Sequence, residues 1–249
     1  MPYLCAFLHF LSVRSYNGRN FFYTKVISKM QTQIVEQDLQ KDIIYNRIKQ
    51  MIISGKFAMG TKISERILEN TLKANKAPIR DALKRLQAEG MVVRKAKSGT
   101  YVFSLSKKEL LDLLNFRFVI ESQSVILSFT QNQEKLIDEI EKIILKMRLA
   151  LTLNQGEEYL AQDSVFHETL VRLCDNSYFI TSFERISAIM DTARNFLGNN
   201  LEHMQKSILE HQNIADAIAA KNIGRVVELL REHILPEFGA YWRTFELEE

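Results

Sequence analysis

The stretch "LKANKAPIRDALKRLQAEGMVVRKAKSGTYVF", residues 72–103, places two periodicities back to back. In its first half Ile79, Leu83 and Leu86 recur at helical spacing. Pro78 falls in the first turn, where a missing N–H costs nothing, and Gly90 follows as a stop. A helix starting near Lys76 or Ala77 is predicted. On its other face Lys76, Arg80 and Lys84 stand at steps of four, a single exposed stripe with Asn75 at its N-terminal end. In the second half, "MVVRKAKSGTYVF" reads as a β-hairpin with a Gly-containing turn and Arg94, Lys95 and Lys97 near its tip.

Working upstream, Ser64 can cap the amides of "ERILENTLK", whose apolar side is Ile63, Ile67, Leu68 and Leu72. Only "ANKA" separates this helix from the next, a spacing that suits two helices meeting at a steep angle, as in a helix-turn-helix. Ile44, Ile48, Met51 and Ile52 define a first helix from Asp38, with Gly55 as its stop. A helix that enters a major groove reads bases through Arg or Asn near its start and neutralises phosphates with neighbouring Lys. The basic hairpin suits a wing against the backbone. One basic helical face alone is more often merely solvated. Helix-turn-helix spacing, basic face and basic wing together point to DNA.

The charge distribution agrees. The net charge of +3 conceals segments of +4 (1–35), +7 (36–104) and −8 (105–249), so a basic module is joined to an acidic one. No apolar run approaches the roughly 20 residues that span a bilayer. Cys5 and Cys174 are isolated, which gives no disulfide framework or Cys-based zinc motif and suits a reducing cytoplasm. Residues 1–35 form an extension rich in Phe and Tyr, without acids and without the pattern of a secretory signal. They read as an arm that touches nucleic acid or, the favoured reading, as upstream sequence ahead of a first residue at Met30.

Residues 105–249 read as an all-α bundle, with helices expected over 107–130, 134–152, 157–174, 178–197, 200–219 and 222–245. No Gly-rich phosphate loop or G-x-S-x-G elbow is present. The chemistry gathers in "DSVFHETL", "LEHQNIADAI" and "REHILPEF". Asp163 and His167 are four apart on one helix, and His211 and His233 lie on two later ones. One carboxylate and three imidazoles suit zinc, nickel or a similar divalent ion, whereas calcium prefers all-oxygen ligands. A single His is more often a surface or hydrogen-bonded core residue, and His9 and His203 are read that way. His203 also rivals His211, two turns away, and periodicity does not choose between them. Arg117 and Glu121 share a helical face, a spacing that suits a helix-surface ion pair.

The stretch "GKFAMGTKISERILENTLKANKAPIRDALKRLQAEGMVVRKAKSGTYV" resembles the winged helix-turn-helix of GntR-type bacterial transcription regulators. The resemblance rests on Met59-Gly60, Asn75-Lys76-Ala77-Pro78, Arg80-Asp81-Ala82-Leu83 and Gly99. It implies DNA-contacting roles for Arg66, Asn75, Lys76, Arg80 and Gly99, beside Lys84 and Lys97 from the basic face and wing. Lys76 stands where the family usually has Arg, and Ala77 replaces a hydroxyl residue, so an operator does not carry over from the family. Residues 105–249 resemble the FCD ligand-binding domain of the FadR-like branch, in its shorter VanR-like form by helix count. That resemblance selects Asp163, His167, His211 and His233 as the metal ligands and implies that Arg117 helps hold a carboxylate effector.

The expected protein is a mainly α, cytoplasmic, homodimeric regulator and not an enzyme. A winged helix-turn-helix (36–104) binds double-stranded operator DNA, and a small carboxylate metabolite at the metal of the helical domain (105–249) modulates that binding. The rival readings are a metal-independent binder of an apolar ligand such as an acyl thioester, and a metal-dependent hydrolase.

Overall fold

The computed structural model describes residues 39–197 and 200–240. The expectations for residues 1–35, including Met30 and His9, lie outside the described residues.

The N-terminal module is built on α1, helical over 39–53, which buries Ile44, Tyr45, Ile48 and Ile52. Gly55 follows with φ +75°, a conformation that ends the helix at little cost only for glycine. Then come β1 (Lys62–Ile63), α2 (Glu65–Leu72), α3 (Lys76–Ala88), β2 (Val92–Lys95) and β3 (Gly99–Val102). Ser64 caps α2 as its sequence position predicts, its hydroxyl accepting from the Ile67 N–H at 3.2 Å. The three strands form an antiparallel sheet in the order β1-β3-β2, with Lys62 opposite Tyr101 and Lys95 opposite Gly99. The hairpin was legible in the sequence. The third strand was not, because two residues carry no periodicity. Ile48, Ile52, Ile63, Leu68, Ile79, Leu86 and Met91 fill the core between helices and sheet.

The C-terminal module has six α-helices among the described residues: α4 (Lys107–Gln131), α5 (Gln133–Thr152), α6 (Gly156–Arg172), α7 (Ser177–Leu197), α8 (Leu201–Ala219) and α9 (Ile223–Ile234). A capping box starts α4: the Ser106 hydroxyl accepts from the Glu109 N–H, and the Glu109 carboxylate accepts from the Ser106 N–H. The expected last helix, 222–245, is corrected. It ends at Ile234 because Pro236 disfavours helical backbone at the residue before it, Leu235, which is extended (φ −98°, ψ 123°); a 3-10 turn, Pro236–Phe238, follows. Within the bundle α5 packs on α6 and α8, α9 on α8 and α4, and α6 on α4 and α7.

α7 belongs to both modules. Ala188 is buried in the N-terminal core, and the Asn195 side-chain amide donates to the Ile53 carbonyl at 2.7 Å.

Candidate nucleic-acid interface and metal centre

Asn75 is the N-cap of α3, and its side chain makes no capping hydrogen bond. Lys76, Arg80 and Lys84 are exposed on the face opposite Ile79 and Leu83, as steps of four require. α2, α3 and the wing enclose a cleft of about 600 Å³ whose walls include Arg66, Lys76, Arg80, Lys84, Arg94 and Gly99. Lys97 stands at the tip of the wing with φ +58°, outside that lining. Gly99 has φ +126°, a backbone conformation that favours glycine, whereas the end of the Lys62 side chain, 2.8 Å from where a Cβ would stand, is free to move aside. Two cations behave differently. Arg80 donates through Nε to both carboxylate oxygens of Glu65 at 2.9 Å, while Arg85 turns away to Asp42 (2.5 Å) and lies over the Tyr45 ring.

In the helical module, His167 from α6, His211 from α8 and His233 from α9 converge. Their ligand atoms all lie within 4.8 Å of one another, the one such group of three or more among the described residues. The nitrogens facing inward are all Nε2, since His167 Nε2 is 3.3 Å from those of both His211 and His233. The outward nitrogens identify the tautomers. His211 Nδ1 faces the Ser207 carbonyl at 2.8 Å, His167 Nδ1 faces Glu121 Oε2 at 2.7 Å, and His233 Nδ1 faces Glu210 Oε2 at 2.8 Å. A carbonyl or carboxylate oxygen accepts, so each Nδ1 donates outward, and a neutral ring held in this way presents its Nε2 lone pair inward. Three lone pairs turned on one point repel unless a cation lies between them. Neutral imidazoles steered by such partners are what a divalent ion requires.

Asp163 stands beside this trio rather than within it. Its Oδ1 is 3.4 Å from His211 Nε2, and its Oδ2 is 2.7 Å from Arg194 Nε. An oxygen-and-nitrogen donor set of this kind fits zinc or nickel. His203, the rival for His211, lies outside the three-histidine group.

The electrostatics follow from burial. Burial pushes His211 down to about 3, with His233 adding to the shift, and pushes His167 well below its ordinary value, helped by the Arg117 charge. Both rings are therefore neutral at physiological pH. Burial alone would raise Asp163, but Arg194, followed by the imidazoles, holds it below the usual carboxylate range. Burial raises Glu121 against the opposing pull of Arg117.

Arg117 and Glu121 do pair, Nε to Oε1 at 2.6 Å, but the helix-surface version of that pair is corrected: both side chains are almost fully buried, at 2% and 0% exposure. α4 is covered there by α6 and α9. Arg117 Nη2 has no hydrogen-bond partner among the described residues, and neither does the buried Ser124 hydroxyl oxygen. Glu121, Ser207, Glu210 and Arg194 were not identified from sequence as contacts of the histidine cluster and Asp163. The only signal for any of them was the four-residue spacing of Arg117 and Glu121.

A winged helix-turn-helix joined to an all-helical domain defines a class of DNA-binding regulator. Residues 40–102 match "Bacterial regulatory proteins, gntR family" and residues 112–235 match "FCD domain". The chain belongs to the GntR family of transcriptional regulators, with an FCD domain. It is 27% identical over 191 residues to the gluconate operon transcriptional repressor of Bacillus licheniformis, covering 75% of this chain and 78% of that one. It is 27% identical over 200 residues to the transcriptional repressor GlaR of Escherichia coli (strain K12), covering 77% and 90%. Among solved structures, the fold is similar to E. coli McbR/YncC, with a TM-score of 0.68 at 17% identity, covering 78% of this chain and 92% of that one. The families and these relatives are transcriptional regulators, not enzymes. No helix among the described residues is long and apolar enough to cross a membrane.

Proposed function

We propose that this regulator binds a near-palindromic operator as a cytoplasmic homodimer, and that a small carboxylate metabolite at a metal centre in the FCD domain modulates the binding. The observation that carries the reading is the convergence of three imidazole Nε2 atoms whose Nδ1 atoms each face an acceptor on the outside of the cluster. His167, His211 and His233 would hold a divalent ion, with Asp163 beside His211. Such an ion supplies a Lewis-acidic point for a carboxylate oxygen. Arg117, whose Nη2 is buried without a partner, is suited to a second oxygen of the same ligand. Two groups that seek oxygen, linked through Glu121, favour an organic acid. Gluconate, named in the B. licheniformis relative's description, is of that class.

On the DNA side, Arg66, Asn75, Lys76 and Arg80 face the groove, and Lys84, Lys97 and Gly99 meet the backbone. α7 supports a route between the two sites. Arg194 contacts Asp163, and the next residue, Asn195, bonds the last turn of α1. A ligand that favours one placement of α7 shifts the population of DNA-competent dimers by its differential affinity for the two states. The acyl-thioester reading is disfavoured because Arg117, Glu121, Asp163 and Arg194 place charge where an apolar chain would lie.

The test is DNA affinity at fixed salt, using a duplex selected from a random pool. Zinc- or nickel-loaded and chelator-stripped full chains are compared against a panel of mono-, di- and hydroxycarboxylates. At least one acid should change affinity in the loaded protein alone. No change with any acid at saturation would overturn the effector reading.

A further inference from the structure

The cleft that faces DNA holds two carboxylates among its cations, Glu65 and Glu69. Each repels phosphate, so each weakens binding to every sequence alike unless it does something else. Glu65 does. It opens α2 immediately after the Ser64 cap, in the first turn, where the helix dipole favours an acid. Across the helix-turn-helix both its oxygens receive the Arg80 Nε–H at 2.9 Å. This pairing uses Nε and leaves Nη1 and Nη2, the two ends of the guanidinium fork, for another partner. Arg80 is otherwise an exposed side chain, 59% accessible, with many rotamers to lose on docking. A guanine offers O6 and N7 to such a fork, in the commonest specific contact of the major groove.

We propose that Glu65 is a specificity-determining positioning residue: by gripping Nε it presents the free fork of Arg80 to one guanine in each half-site. The inference rests on α3 being the reading helix, as argued above. Glu69 supplies the matched control, because it carries the same charge in the same cleft and makes no hydrogen bond to Arg80.

The experiment selects bound sequences from a randomised duplex pool with four full-length proteins: wild type, Glu65→Ala, Glu69→Ala and Arg80→Ala. Affinity for an unselected random duplex and thermal stability are measured in parallel. Wild type should prefer guanine by about tenfold or more at one position per half-site. Arg80→Ala should abolish that preference, and Glu65→Ala should reduce it to about threefold or less while other positions stay unchanged. Glu65→Ala and Glu69→Ala should both bind random duplex more tightly, and Glu69→Ala should keep the guanine. If Glu65→Ala keeps the full preference that Arg80→Ala loses, or if Glu69→Ala loses it equally, the positioning role is wrong and the reading helix stands. If Arg80→Ala alters no position, the reading by Arg80 is itself wrong. A general loss of folding in Glu65→Ala would appear as a lower melting temperature and loss at every position, an outcome that assigns Glu65 to helix capping and overturns the proposal.

Discussion

His167 takes its orientation from a residue 46 positions earlier in the chain, since Glu121 Oε2 accepts its Nδ1 proton and thereby turns Nε2 inward. Replacing Glu121 by Gln leaves a weaker acceptor in the same volume. Metal affinity should fall by about 10–100-fold in competition with a chromophoric chelator. Unchanged affinity would show that Glu121 does not set the ring. His211 makes a pH prediction. Burial holds it at about 3 in the fold against 6.5 in the free side chain, so between those values the unfolded chain takes up a proton that the folded chain refuses. Its share of stability is whole above pH 6.5 and is lost as pH falls toward 3. The chelated protein should melt at progressively lower temperature below pH 6.5, and His211→Gln should flatten that slope; parallel slopes in the two proteins would refute the assignment. The sequence offered the three histidines as candidates but only the family resemblance chose His211 over His203, and the structure brings His167, His211 and His233 together with Asp163 beside His211. Glu121 and Arg194 were not legible in the sequence, because what defines their role is a contact across helices, to which periodicity is blind.

At the scale of elements, α7 is the one whose role was least visible. Its sequence predicts an amphipathic helix, and the span expected, 178–197, lies close to the observed Ser177–Leu197. Nothing in that pattern says that Ala188 enters the other module's core or that Asn195 bonds the Ile53 carbonyl. Removing the amide in Asn195→Ala deletes one net hydrogen bond, worth about 1 kcal/mol. The variant should therefore fold and bind DNA, while the ratio of DNA affinities with and without carboxylate moves toward one. A ratio equal to that of wild type would remove α7 from the route. The helices of the DNA module were easier to bound because Ser64, Pro78 and Gly90 mark their ends chemically. Ser64→Ala should lower that module's stability by about 1 kcal/mol, read from denaturant unfolding. The short strand β1 and the end of α9 were missed for opposite reasons: two residues have no period, and an apolar periodicity that runs past Ile234 hides the break that Pro236 imposes there.

The chain carries an excess of basic charge in residues 36–104 and of acidic charge in residues 105–249, which favours a polyanion at the first module over the second. The near-palindromic operator proposed above would require two readers and so two chains. α4 offers a face for that, since Phe116, Val119 and Ile126 are 40%, 55% and 38% exposed on one side of the helix whose other side holds Arg117 and Glu121. Val119→Glu on both chains would place like charges at the centre of such an interface, and desolvating them costs more than the packing returns. The variant should sediment as a monomer with its melting temperature little changed, because Val119 is on the surface of the single chain. The salt dependence of DNA binding then checks the reading independently. The slope of log affinity against log salt scales with the number of phosphates neutralised, so one winged module in place of two should give about half the wild-type slope. A monomer with the full slope would mean that a single chain makes all the phosphate contacts. A dimer with the full slope would place the contact between chains on some face other than this side of α4.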